Sequence, residues 1–314
     1  LLAAGILLES LRIAASGWQR AVAWEIEAQS DTTLTLRASF RPSRRVLADP
    51  LLAELPLRSV NRRAYRTRKL RESERAALRI AAGEDVVLEF HEPAISRWRL
   101  ARLAARATDI RLRAPEAHLI HQKIIDWERP QSPTGIPAAA VGVDRLTRRL
   151  MRWAMASWDR MRLVNRLGAT FSTAVQLDYL PMMRSAAAFS LRLAPSAEPR
   201  TRQLLQAGQA IQRLWLTANR LGLAVQPALA ILAFAQYGES GTPFSSAATL
   251  APKAGKLARA FRATLGEGPG AYIFLGRIGE PYKRLPLSRS TRRPLAELVQ
   301  EAAANPANDV AKVA

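Results

Sequence analysis

The sequence predicts an α+β protein in which helices flank antiparallel strands, arranged as two related lobes. Segments with apolar residues every three or four positions alternate with short segments in which apolar and polar residues alternate. The chain also repeats itself, because "LLAAGILLESLRIAASGW" (1–18) and "LLQAGQAIQRLWLTANRLGL" (204–223) share leucines, alanines and a glycine at a constant offset of 203. Two copies so far apart are not typical of a solenoid and indicate a duplicated unit, packed as a pseudo-dimer within one chain.

The first third of the chain alternates helices with strands. A buried helix that ends at Gly17, two strands around a turn at Ser30 and Asp31, and a helix followed by Gly83 all carry the usual start and stop signals. The predicted elements are a helix over 1–16, strands over 21–29 and 32–40, a proline-punctuated loop over 42–65, a helix over 71–83 and a strand over 85–93.

The remainder is predicted to be mostly helical. Residues 94–128 read as one or two arginine-rich helices broken near Pro115. The later elements are a Pro-rich linker over 128–137, one helical stretch over 145–167, a buried strand over 182–193, a helix over 200–220, a loop over 238–246, a strand over 270–279 and a closing segment over 288–298. Tryptophans and methionines crowd the stretch over 145–167, which suits either a core helix or the wall of a cavity.

The composition favours an anionic partner. Lysine and arginine together number 47 against 26 acidic residues, and only six of the 47 are lysines. Phosphates, nucleic acid or an acidic protein face would suit this excess. The arginines are spread along the chain, which argues against nucleic acid and leaves a solvated charged face as the alternative. No apolar run reaches the length of a membrane span.

The side chains that usually carry catalysis are scarce. The chain has no cysteine, which excludes disulfides and thiolate chemistry. His118 and His121 lie three residues apart on a predicted helix, but no further ligand follows at a recognisable spacing, so we predict no metal site. His91 is predicted to be structural. Nucleophile-elbow, Walker and dinucleotide-binding motifs are absent, which suggests that a cofactor carries any chemistry.

Two arginine segments have the residue types of anion clamps. "LRSVNRRAY" (57–65) and "SRSTRRPL" (288–295) each combine guanidinium groups with hydroxyl donors. Such groups bind a phosphate monoester through forked, charge-assisted hydrogen bonds, although a surface salt-bridge loop would have the same composition.

These motifs, taken in order, resemble the FMN-dependent nitroreductase family. "RSVNRRAY" stands near the start of a lobe, "LLQAGQAIQRLWLTANRLGLAVQP" in its middle and "GRIGEP…SRSTRRPL" at its end, over roughly residues 58–297. The chain is especially similar to two-lobed nitroreductase-like proteins, including those fused to an E1-like (ThiF-type) adenylating domain. The resemblance implies FMN as cofactor, NADH or NADPH as reductant, a small-molecule substrate, and a cytoplasmic location without membrane attachment.

The resemblance also implies which residues hold the flavin. Contacts to its phosphate and ribityl chain map onto Arg58, Ser59, Asn61, Arg62, Ser290 and Arg292. Backbone groups beside flavin N5 and O4 map onto Pro227, Ala228 and Leu229. No catalytic side chain is implied, because the hydride chemistry belongs to the flavin.

The resemblance divides the chain into two lobes of unequal extent. Residues 1–55 correspond to the end of a first lobe, which we expect to be truncated, with its early part upstream of Leu1. Residues 56–314 correspond to a second lobe that carries the flavin and has a helical insert or lid at about 94–165. Such a lid suggests two alternatives to a reductase: a protein that stores or sequesters FMN, or a non-catalytic scaffold for an E1-like domain.

Overall fold

A computed structural model of the protein describes residues 1–283 and 287–297. Its helices are α1 (Leu2–Ser16), α2 (Glu72–Ala82), α3 (Ala94–Arg113), α4 (Pro115–Ile124), α5 (Arg145–Met155), α6 (Trp158–Arg166), α7 (Ala169–Ala174), α8 (Leu180–Met183), α9 (Arg200–Arg220), α10 (Leu229–Ser240) and α11 (Leu250–Leu265). Its strands are β1 (Arg20–Gln29), β2 (Leu34–Pro42), β3 (Val86–His91), β4 (Ile125–Asp126), β5 (Gln131–Ser132), β6 (Ile136–Pro137), β7 (Ala187–Leu193), β8 (Ala224–Pro227), β9 (Tyr272–Gly279) and β10 (Arg289–Ser290). A π-helix (Val175–Tyr179) joins α7 to α8.

A four-stranded antiparallel sheet in the order β3-β7-β9-β8 forms the centre of the fold. Phe189 and Leu191 of β7 pack with α2 and α9 on one face of the sheet. Ala188 of β7 and Leu275 of β9 pack with α3, α10 and α11 on the other face. Side chains of a strand alternate between its two faces, so helices on both sides leave β7 and β9 buried. The predicted α+β class, with a central antiparallel sheet flanked by helices, is confirmed.

Helices α1 and α9, which carry the repeated sequence, cross at their glycines. A Cβ atom on Gly5 would lie 2.0 Å from the carbonyl oxygen of Leu205, and one on Gly208 would lie 2.3 Å from that of Leu2. Gly5 and Gly208 are counterparts at the offset of 203, and so are Leu2 and Leu205. The two helices therefore approach each other reciprocally, at a distance that only glycine permits.

Polar contacts repeat the same reciprocity one turn further along. Gln212 donates to the Ser10 hydroxyl at 3.0 Å, and Arg213 lies 3.5 Å from the Glu9 carboxylate. Glu9 corresponds to Gln212 and Ser10 to Arg213 at the offset of 203. Ser10 therefore contacts the counterpart of Glu9, and Glu9 contacts the counterpart of Ser10. Such an exchange of contacts is the pattern of an isologous interface.

Most elements predicted in the first third of the chain are confirmed. Helix α1, the β1–β2 hairpin, helix α2 and strand β3 lie within about two residues of their predicted bounds. The break near Pro115 is also confirmed, since α3 ends at Arg113 and α4 begins at the proline.

Four predictions in the later part of the chain were wrong in detail. The strand predicted over 182–193 begins only at Ala187, because α8 continues to Met183. The stretch over 145–167 is two helices, because Ser157 takes an extended conformation and its hydroxyl accepts from the amide of Arg160 to begin α6. The linker over 128–137 contains two short strands, with β5 paired to β10 and β6 paired to β4. The loop predicted from residue 238 begins later, since α10 continues to Ser240 and ends at Gly241 with a φ of 69°.

Parts of two predicted segments lie beyond the described chain, and the described chain contains no membrane-spanning helix. Residue 298 of the predicted closing segment, and residues 284–286 and 298–314 of the predicted second lobe, lie outside the described residues. Within residues 1–283 and 287–297, no helix has both the length and the apolar character needed to cross a bilayer.

Candidate functional site

A cavity of about 370 Å³ lies between the predicted insert and the start of α10. Methionines from two of its helices, Met151 and Met155 of α5 and Met161 of α6, form part of its wall. Ala228 and Leu229 form part of the opposite wall. The walls are mostly apolar and the volume is typical of a cofactor or small-molecule site. Met155 and Met161 are also buried among apolar neighbours, so both interpretations of the methionine-rich stretch, core helix and cavity wall, describe part of it.

Helices α5 and α6 together form what we call the cover of this cavity (Arg145–Arg166). Gln122 of α4 donates to the Met155 carbonyl at 2.6 Å, and Asn165 donates to the Leu112 carbonyl at 2.9 Å. The cover keeps several large apolar side chains in solvent, including Leu146 and Leu163. It is thus attached to the rest of the fold chiefly by polar contacts and by its cavity-facing side chains.

Arg62 and Arg111 bring positive charge to the otherwise apolar wall. Burial, followed by repulsion from Arg111, lowers the pKa of Arg62. No carboxylate of the described residues forms a salt bridge with Arg62, whereas Arg111 lies 4.0 Å from Asp178. An anionic group inside the cavity would relieve this repulsion.

Asp178, on the π-helix, is the acidic side chain of the same wall. It accepts from the Thr108 hydroxyl. Burial raises the pKa of Asp178, although the charges of Arg111 and Arg277 and the Thr108 hydrogen bond oppose this shift. The carboxyl group therefore holds its proton to a higher pH than an exposed aspartate does.

The backbone at Pro227, Ala228 and Leu229 offers one free donor to the cavity. Proline has no N–H, and the Ala228 amide donates to the Leu275 carbonyl at 2.8 Å. Leu229 is the first residue of α10, where an amide has no partner within the helix, and within the described chain no other acceptor takes it. Of the three predicted backbone positions, Leu229 is the one that can donate to a ligand.

Arg58 and Arg292 form a second electropositive site. They come from the two predicted anion-clamp segments, 57–65 and 288–295. Arg292 donates to the Arg58 carbonyl at 3.3 Å, and the Arg58 guanidinium lies 4.5 Å from the centre of the Trp215 ring. Burial, followed by repulsion from Arg292, lowers the pKa of Arg58 to about 10. Its Nε is buried without a hydrogen-bond partner among the described residues. Among the described residues neither cation forms a salt bridge, and a pair of such cations has the charge of a phosphate site.

The other predicted contact residues are Ser59, Asn61 and Ser290, and none of them lines the cavity. Ser59 and Asn61 line a narrow pocket with Trp215, the residue under Arg58. Asn61 is buried and its side chain accepts from the Arg63 amide at 3.1 Å. Ser290 lies on β10 and donates to the Gly135 carbonyl at 2.7 Å.

The predicted site residues thus fall into separate groups and do not line a single site. Arg62, Pro227, Ala228 and Leu229 line the cavity, whereas Arg58 and Arg292 lie together elsewhere. Sequence reasoning missed Arg111 and Asp178. Arg111 had a weak signal as one of many arginines on α3, and Asp178 had none, because only the π-helix turns it towards this wall.

The three histidines lie in different surroundings. His91 bonds the Ser190 hydroxyl at 3.0 Å, and His118 packs on the Trp158 ring. His121 lines the cavity. Among the described residues, no three acidic or imidazole side chains gather as a metal site would require.

Because burial disfavours the protonated form of His121, we expect this residue to make stability sensitive to acid. Burial, then repulsion from Arg111 and from His118, lowers its pKa to about 4. The unfolded chain binds this proton near pH 6.5, so the stabilisation present above that pH is lost as the pH falls towards 4. His121→Gln should remove about 1–2 kcal/mol of the decrease in unfolding free energy between pH 7 and pH 4.5.

Urea unfolding at both pH values measures this difference. Lys123→Gln is the matched control, since Lys123 is an exposed neighbour on α4. An equal decrease in wild type and His121→Gln would contradict the expectation.

Comparison with known proteins gives a likeness at the level of solved structures. No protein-family model matches the chain, and no curated protein matches it. The FMN-dependent nitroreductase NfnB from Mycobacterium smegmatis, in complex with NADPH, is 17% identical; the match covers 78% of this chain and 94% of that one, with a TM-score of 0.39. A BluB-like flavoprotein from Clostridium difficile 630 is 11% identical, with coverage of 80% and 97% and a TM-score of 0.41. The FMN and NADPH-dependent nitroreductase NfnB from sphigopyxis sp. strain HMH is 18% identical, with coverage of 80% and 97% and a TM-score of 0.38.

Proposed function

We propose that the protein binds FMN and is a nitroreductase-like oxidoreductase that uses NADH or NADPH to reduce a small-molecule substrate. The observation that carries this proposal is a mostly apolar cavity with Arg62 in its wall, an arginine that forms no salt bridge within the described residues. The cavity has the volume and wall chemistry of a cofactor site, and Leu229 presents a backbone donor to it. The sequence resemblance to FMN-dependent nitroreductases points to the same cofactor.

The described residues fit the two chemically different ends of FMN. Arg58 keeps a buried Nε without a partner and lies against Arg292, so a phosphate would satisfy an orphaned donor and neutralise a pair of like charges. The flat ring system needs an apolar enclosure, which the methionines of the cover and the start of α10 provide. Ser59, Asn61, Arg62 and Ser290 complete the proposed contacts to phosphate and ribityl chain.

When bound, FMN would supply the hydride-transfer chemistry between the reduced nicotinamide and the substrate. The chain's own residues would orient the cofactor and set its electrostatics. The Leu229 amide and the positive end of α10 would stabilise negative charge on the ring. The cover would exclude water, and Asp178 would hold a proton at the cavity wall.

The test begins with the spectrum of the protein as purified. We expect flavin absorbance that acid releases, or that appears when colourless protein is incubated with excess FMN. Anaerobic addition of NADH and of NADPH should then bleach the flavin absorbance in a stopped-flow experiment. A protein that stays colourless with excess FMN would contradict the proposal at its first step.

The cover favours a second candidate function, in which the protein stores or sequesters FMN. Helices α5 and α6 line the cavity, so they would restrict the approach of a second ligand to a cofactor bound there. Flavin that binds tightly but is not bleached by either nicotinamide would support storage over reduction. The third alternative, a scaffold without flavin for an E1-like adenylating domain, would be supported by protein that binds no FMN.

We further propose that α1 and α9 are counterparts from two lobes of a pseudo-dimer, divided at about residue 55. The reciprocal approach of Gly5 and Gly208 supports this assignment, as do the exchanged contacts of Glu9 and Gln212. A helical insert at about 94–165, association with an E1-like domain and a cytoplasmic location remain proposals drawn from the sequence.

A further inference from the structure

A groove of about 910 Å³ lies between α3, α11 and the segment from α7 to α8, and neither Arg58 nor Arg292 lines it. One wall is a single face of α3, from Arg102 to Arg113, and a second wall is α11. The segment from α7 to α8 forms the third wall. At 1.5 Å per residue, the lining face of α3 gives the groove a length of about 16 Å.

The charge of this groove is strongly positive. Its acidic residue is Asp109, which is shared by Arg113 at 2.6 Å and Lys253 at 2.5 Å. Four further cations line the groove, and none of them forms a salt bridge within the described chain: Arg102, Arg106, Lys256 and Arg259. Arg106, Lys256 and Arg259 are exposed, so their charges are available to a ligand.

The third wall of the groove is apolar. Phe171 leaves 77% of its surface in solvent and Leu180 leaves 46%. Val175 and Tyr179 continue the same wall along the π-helix. Exposed aromatic and aliphatic side chains beside a row of unpaired cations are typical of a binding site for a ligand with an apolar body and an anionic end.

We propose that this groove binds a single-chain anionic amphiphile. The alkyl chain would lie along Phe171, Val175 and Leu180, and the anionic head would contact Arg106, Lys256 and Arg259. The volume lies within the range of small-molecule sites, whereas a stable protein interface covers about 800 Å² on each partner. The apolar wall distinguishes the site from a nucleic-acid surface, where phosphate contacts dominate.

The test uses alkyl phosphates, kept below their micelle-forming concentrations, and calorimetric titration of the full chain. We expect dodecyl phosphate to bind more tightly than decyl phosphate and decyl more tightly than octyl, by up to about fourfold for each methylene. Binding should weaken as salt is raised, because screening reduces the attraction of the exposed cations. Inorganic phosphate alone should bind far more weakly than any of the three.

Two variants assign the binding to this groove. The double variant Arg106→Gln, Lys256→Gln should weaken dodecyl phosphate binding by about tenfold, since each substitution removes a charge-assisted contact. The matched control is Arg41→Gln, Lys69→Gln, which removes the same charge from exposed positions elsewhere and should leave the affinity unchanged. Phe171→Asn should weaken binding and remove most of the dependence on chain length.

Several outcomes would overturn the proposal. The wild-type protein is titrated with dodecyl phosphate in the absence of FMN, so a failure to bind flavin does not affect this test. No binding of dodecyl phosphate, equal loss in the groove and control variants, or inorganic phosphate binding as tightly as dodecyl phosphate would each refute the site. Binding to anionic vesicles without binding to monomeric alkyl phosphate would show a membrane surface instead.

Discussion

Gly208→Ala should lower the free energy of unfolding by about 3 kcal/mol, at the upper end of the usual cost of overpacking. The added Cβ would lie 2.3 Å from the Leu2 carbonyl oxygen and 2.8 Å from the Gly5 Cα. Both neighbours are backbone atoms, so no side-chain rotation relieves the contact. Helix α1 would have to move away from α9 and give up apolar contacts along their length.

Urea unfolding of the wild type and the variant measures this change. Gly255→Ala is the matched control, because Gly255 also lies within a helix, α11, and the nearest atom to its added Cβ would be the end of the Arg259 side chain at 3.8 Å. Alanine there should stabilise the protein by about 0.5–1 kcal/mol through helix propensity. If both variants unfold at the same urea concentration, α1 and α9 do not cross as described.

Arg58→Met should weaken FMN binding by about 1.5–3 kcal/mol, which is at least tenfold in affinity. The methionine keeps an apolar stem against the Trp215 ring but removes the charge that lies beside Arg292. Without FMN, the same substitution removes a half-buried cation that is repelled by its neighbour, so stability should be unchanged or higher. The two effects have opposite signs, which separates loss of a ligand contact from damage to the fold.

Fluorescence titration with FMN measures the affinity, and urea unfolding without FMN measures the stability. Arg79→Met is the matched control, since Arg79 is also stacked over an aromatic ring, that of Phe90 at 5.7 Å, but lies exposed on α2. FMN affinity that is equal in Arg58→Met and Arg79→Met would refute the assignment of Arg58 to the phosphate.

The sequence predicted those parts of the fold in which local pattern and tertiary packing agree. Helix α1, the β1–β2 hairpin and the break at Pro115 each have a periodicity or a stop signal that the structure follows. The internal repeat was equally informative, because Gly5 and Gly208 turned out to be in contact.

Other parts could not be predicted because they depend on distant contacts. The break between α5 and α6 is caused by Ser157, a residue that helices also tolerate in their interiors. Strand β5 needs β10 as its partner, more than 150 residues away. For the candidate site, the sequence predicted both Arg58 and Arg62 as cofactor contacts. It could not predict that Arg62 lines the cavity while Arg58 stacks on Trp215, because this depends on the tertiary fold.

The cover has a consequence for the time scale of ligand exchange. Its helices are joined to the rest of the fold by a few polar contacts, such as those of Gln122 and Asn165, and by a small apolar cluster with Leu112, so we expect them to separate from it at a lower free energy than global unfolding requires. A ligand in contact with the cover would enter and leave the cavity more readily during such an opening. Association and dissociation rates would therefore share one gating step, and a mutation that loosens the cover would speed both while leaving the equilibrium constant nearly unchanged.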